Sequence, residues 1–171
     1  MKKVRFYKNN RANVLIYDIS SSRLVRESIP TEATIYELNI RNGIPIFFSI
    51  GYFLKLLRHL FKERNISRAN YFTIFDQVNP MVIISFSTMT ELMARYSELR
   101  PEKLVIGIQT AVRPENFTKK FMRQASTYFA FGKAELDLCR IHCIRTKEST
   151  PIGSYHLGVY TSKNKVETND S

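Results

Sequence analysis

Residues 81–108 read MVIISFSTMTELMARYSELRPEKLVIGI, and this stretch decides the fold. Residues 81–85 form a short, β-branched apolar run of the length of a buried strand. From Thr88 to about Leu99 the pattern is helical, and residues 104–108 return to an apolar run. Short, continuous apolar strands alternating with amphipathic helices mark a parallel sheet covered on both faces.

The theme extends in both directions. Upstream, Val14-Leu15-Ile16-Tyr17-Asp18 is another such run, and Ser20-Ser21-Ser22 offers an N-cap for a helix through Ile29, which Pro30 ends. Further strands are expected at 33–38 and 44–48, separated by the turn signal Asn42-Gly43. Phe53, Leu56, Leu57, Leu60 and Phe61 recur at helical spacing, with Lys55, Arg58, His59 and Lys62 on the other side. A helix over 67–78 stops at Asn79-Pro80. Downstream come a loop through Pro114, a helix over 115–124, a strand at 128–131, a helix over 134–138 opened by Gly132, and a strand at 141–144. The expectation is a Rossmann-like α/β domain of six or seven mostly parallel strands, with helices on both faces, over residues 1–160. Residues 161–171 read as a polar tail or the start of an interdomain linker.

The 171-residue length suits one domain, and the 44% hydrophobic share supports a packed core. Two cysteines are too few for a disulfide framework, and Arg5, Lys8 and Arg11 interrupt any signal-peptide apolar run. A reducing, cytoplasmic setting is therefore expected. The net charge of +11 draws the chain toward anions: nucleic acid, anionic lipid or phosphorylated substrate. Lys2, Lys3, Arg5, Lys8 and Arg11, interleaved with Phe6 and Tyr7, suit a nucleic-acid backbone. No standard nucleic-acid-binding motif accompanies them, so nucleic acid is the lesser use of this charge.

Ligands of open α/β sheets bind outside the carboxyl ends of the strands. That rule singles out Asp18, which is either a base or hydroxyl contact or the cap of the next helix. It also singles out Gln109 and Arg113, where Arg113 either grips an anion or is solvated. Gly153 and Ser154, as donors of backbone N–H groups to an anion, form a weaker signal, since no Gly-rich phosphate loop is present. Cys139, His142 and Cys143 lack a fourth zinc ligand and read as packing, so no metal is expected. The stretch over 44–61 is broken by Lys55 and Arg58 and is too short in its uncharged part to span a bilayer. It reads either as a helix packed on the sheet or as a basic amphipathic helix on an anionic leaflet, with Tyr52, Phe53, Leu54, Lys55, Arg58 and Lys62 at the surface.

Several of these segments, in order from about residue 13 to 160, resemble the bacterial surface-carbohydrate biosynthesis transferases, which are GT-B-like glycosyltransferases. They are VLIYD (14–18) with the serines after it, VNPMVIIS (78–85), Ile108-Gln109 with Arg113, YFAFG (128–132) and PIGS (151–154). The resemblance implies the N-terminal, acceptor-side half of an enzyme that moves sugar from a nucleotide-sugar to a lipid-linked glycan, in O-antigen or capsule synthesis. It implies work at the inner face of the cytoplasmic membrane, no metal or other cofactor, and a C-terminal domain or partner chain holding the donor. Asp18 would then be catalytic; Gln109, Arg113, Gly153 and Ser154 would bind acceptor or phosphate. The chain departs from the family in carrying Thr110-Ala111 where Asn-Gly is usual. The alternatives are a basic nucleic-acid-binding module and a non-catalytic, truncated relic.

Overall fold

The computed structural model describes residues 4–7, 11–18, 22–40, 44–47, 49–86, 91–109, 125–142, 144 and 146–154. In chain order the elements are β1 (Val4–Tyr7), β2 (Val14–Tyr17), α1 (Ser22–Arg26), β3 (Ile35–Leu38), β4 (Ile44–Phe47), α2 (Ile50–Glu63) and α3 (Ile66–Val78). There follow β5 (Val82–Ser85), α4 (Glu91–Leu99), β6 (Leu104–Ile108), β7 (Ala125–Ala130), α5 (Lys133–Ile141) and β8 (Thr146–Pro151). Six strands form one all-parallel sheet in the order β3-β2-β5-β6-β7-β8. The fold is the expected Rossmann-like α/β architecture.

The central strands are apolar throughout because both their faces are covered. Side chains alternate between faces, and the core divides accordingly. Leu15, Tyr17, Ile83 and Val105 meet Phe72 and Phe75 of α3 and Met93 and Tyr96 of α4 on one side. Val14, Ile16, Ile84 and Ile108 meet Val25 of α1 on the other. A smaller cluster, Tyr128, Ala130, Leu136 and Cys139, seats α5 on β7.

Local chemistry sets the helix limits. The Ser49 hydroxyl accepts from Tyr52 N at 3.1 Å to cap α2, and Arg64 ends it in the left-handed region at φ 50°. Asn65 then caps α3 by accepting from Arg68 N at 3.0 Å. Asn79, at φ 53°, ends α3 just before Pro80.

Four expectations need correction. No strand starts at Ile141: α5 continues through it, and the last strand among the described residues is the polar TKESTP of β8. β8 is an edge strand and largely exposed, so no apolar run marks it, and its Pro151 is tolerated there. The strand around 44–47 lies outside the main sheet and pairs in parallel with β1, inside the stretch read as a basic cluster. The first helix covers only Ser22–Arg26 before turns carry the chain to Ile29. Finally, α2 packs mainly on α3, through Tyr52 and His59, and reaches the strands through Tyr52, whose ring lies 5.9 Å from that of Phe47 in β4. Arg113, Cys143, the helix over 115–124 and the tail at 161–171 lie outside the described residues.

Candidate functional site

Numbered within the main sheet alone, the strand order is 2-1-3-4-5-6, so the direction of winding reverses between β2 and β5. Outside the carboxyl ends of two such strands a crevice opens in which ligands bind. Tyr17 and Ser85 are register partners at that point, which puts Asp18 and Ser85 on one edge.

Asp18 follows β2 directly. It is 2% exposed, its N–H donates to Leu38 O at 3.1 Å, and its backbone sits at φ 73°. Asp is among the few side chains that tolerate the left-handed region, at a cost of about 1 kcal/mol. The described part of α1 begins at Ser22, and residues 19–21 between the two lie outside the described residues. Next to it, burial, then Tyr71 and then the charge of Asp18 push the Tyr17 phenol far above its usual range. Tyr17 therefore stays a neutral hydroxyl beside the carboxylate.

Ser85 was not singled out from the sequence, although the strand-end signal that found Asp18 applies equally to it. It is 1% exposed, and its Oγ has no hydrogen-bond partner among the described residues. A buried hydroxyl left unmatched at a switch point is a group available to a ligand.

Gln109, at the end of β6, is fully buried. Its Oε1 accepts from Phe131 N at 2.7 Å and from the Tyr128 hydroxyl at 3.1 Å. Gln109 thus ties the turn between β7 and α5 to β6. It holds Phe131 and Gly132 at the edge, and its oxygen is already engaged. The buried Glu135 carboxylate lies 3.4 Å from the same Tyr128 hydroxyl. Exchanging Gln109 for alanine takes the side-chain acceptor from the part-buried Phe131 N–H and one of two oxygen partners from the Tyr128 hydroxyl, for an expected loss of about 2 kcal/mol. Thermal melting should fall by about 4–8 °C for a domain of this size.

Gly153, past the end of β8, adopts φ 72° with open space around its Cα, so any side chain there meets backbone strain and no clash. Ser154 beside it is half-buried. The edge therefore carries Asp18, Ser85, Gln109 and Gly153-Ser154 in strand order. Among the described residues, no group of three His, Cys, Asp or Glu is placed to hold a metal ion.

The proposed surface residues of α2 divide. Tyr52 is inside, 1% exposed, with its hydroxyl donating to Asn70 Oδ1 and its pKa pushed by burial to about 12. Lys55 Nζ donates to Asp76 O at 3.2 Å and Gln77 Oε1 at 2.9 Å. Phe53, Arg58 and Lys62 are exposed. At the opposite edge of the sheet, a cleft of about 340 Å³ is lined by Lys55, Arg58, His59, Asp76, Arg100 and Lys103, among others.

The fold and this edge define an open, parallel α/β domain with a strand-end crevice. No family model matches the chain, and no solved structure matches it. Over 56 residues, 33% of the chain, it is 34% identical to an S-adenosylmethionine synthase of Prochlorococcus marinus (strain MIT 9215). The match spans 14% of that protein's length. Among the described residues, no helix is long and apolar enough to cross a membrane.

Proposed function

We propose that the chain is the acceptor-side half of a glycosyltransferase of bacterial surface-polysaccharide synthesis. It works peripherally at the inner face of the cytoplasmic membrane. Its acceptor is a lipid-linked glycan, and a second domain or partner chain presents the nucleotide-sugar. One observation carries the reading. The segments bearing the family resemblance pass the carboxyl ends of β2, β5, β6, β7 and β8 and place Asp18, Ser85, Gln109, Gly132 and Ser154 there. Five separate segments on one edge support a shared binding surface, since scattered surface similarity has no reason to respect strand ends. Asp18, on the same edge as the unmatched Ser85 hydroxyl, is then the group to accept a proton or hydrogen bond from an acceptor hydroxyl.

Amide shifts of the labelled chain, titrated with a short-chain polyprenyl diphosphate-linked sugar, test this. Shifts are expected around Asp18, Ser85, Gly132 and Ser154. Asp18→Asn keeps a residue that tolerates the left-handed backbone, and should weaken binding about ten- to hundredfold. Shifts absent from this edge, or unchanged affinity in the variant, would overturn the reading.

A further inference from the structure

Helix α2 carries two features that the strand-end crevice leaves unused. Ile50, Leu54, Leu57 and Phe61 follow at i, i+4, i+7 and i+11, which puts them within an arc of about 60°. They are 81%, 64%, 53% and 84% exposed. Tyr52 and His59, on the opposite side of the helix, are buried. The strongest apolar stripe of the helix thus faces away from the protein. Between stripe and packed face run the exposed Arg58 and Lys62. Arg58 also lines the cleft where Lys55, Arg100 and Lys103 gather against Asp76 and Glu102.

The charges decide what covers this stripe. Its spacing would suit a matching helix from a second copy. Each copy, however, carries +11, and pairing through α2 would crowd Arg58 and Lys62 of both helices together. An anionic leaflet satisfies both features in one orientation. The stripe enters the acyl boundary, Arg58 and Lys62 stand at headgroup level, and the packed face points back to the domain.

We propose that α2 is a membrane-docking helix lying in the plane of an anionic leaflet. Ile50, Leu54, Leu57 and Phe61 are immersed, and Arg58 and Lys62 contact lipid phosphates. The proposal rests on the peripheral placement above and is independent of glycosyl transfer. It replaces the buried Tyr52 with four outward residues.

Co-sedimentation of the full chain with phosphatidylcholine vesicles, with and without phosphatidylglycerol, is the test. Binding is expected only with the anionic lipid. Leu54→Ser, Leu57→Ser and Phe61→Ser combined should weaken it more than about a hundredfold. Arg58→Glu with Lys62→Glu should weaken it at least about tenfold. All five positions are exposed, and circular dichroism checks that both variants remain folded. Three results would overturn the proposal: folded wild type that ignores anionic vesicles at low salt, a serine variant that binds as wild type does, or a wild-type dimer that the serine changes dissociate. The amide-shift titration reads the other edge of the molecule, so its failure is separable from these.

Discussion

Phe75→Ala is expected to lower stability by about 3–5 kcal/mol, the usual cost of deleting a fully buried aromatic ring. Phe75 is 0% exposed. It meets Tyr96 edge-on at 4.9 Å and Tyr17 at 5.9 Å. The three rings join α3, α4 and β2, so the space left is bounded by three elements and closes poorly. Against a typical total of about 5–15 kcal/mol, this is a large fraction of what holds the domain folded. Phe75→Leu keeps most of the volume and should cost only about 1 kcal/mol. Denaturant unfolding of both variants checks the contrast, and equal losses would mean that packing at Phe75 is not the cause. The change has a functional reading as well. Tyr17 is held by Phe75 and by Tyr71 at 5.6 Å, and it immediately precedes Asp18. A Phe75→Ala chain should therefore also lose order at the carboxyl end of β2.

How much of this was legible in the sequence depended on how many sides of an element are covered. β2, β5 and β6 are paired on both edges and covered on both faces, so their sequences are apolar runs that read plainly. β8 is paired on one edge, and its TKESTP carries no such signal. β1 was hidden because its VRFY is interrupted by Arg5, and among the described residues it pairs with β4 alone. The case of α2 is different in kind. Periodicity showed correctly that the helix has an apolar side, but not which side the protein uses. A tyrosine hydroxyl, a histidine and a lysine amine find specific partners on α3, in Asn70, Asp76 and Gln77, and those bonds turn the polar side inward. At the site, the strand-end rule located Asp18 and Gly153, and it applied equally to Ser85. It gave Gln109 its position but not its role as a brace, because that role depends on Tyr128 and Phe131, which only the folded sheet brings near.

The second large effect is expected at Asp76, where four groups meet. Its Oδ2 accepts from His59 Nε2 at 3.0 Å and from Arg100 at 2.8 Å; its Oδ1 accepts from Arg100 Nε at 3.3 Å. The Tyr96 hydroxyl lies 3.5 Å away. Burial by itself pushes the carboxyl up, but the hydrogen bonds from His59 and Arg100, reinforced by their charge, hold it at about 2. The folded value is below the usual one, so the stabilisation is fully present above the unfolded pKa. It is lost as pH falls from about 4 to about 2. Allowing for the partial exposure of Arg100, the contribution is about 1–2 kcal/mol. Asp76→Ala should cost more at neutral pH, about 3 kcal/mol, because it also leaves His59 and Tyr96 without their acceptor in a half-buried place. Unfolding of wild type and variant across this pH range separates the two parts. The gap between them should narrow toward pH 2 without closing, since packing and hydrogen bonding by the protonated acid remain. A gap independent of pH would mean that Asp76 acts by shape alone, and that its charge does not bind α2, α3 and the end of α4 together.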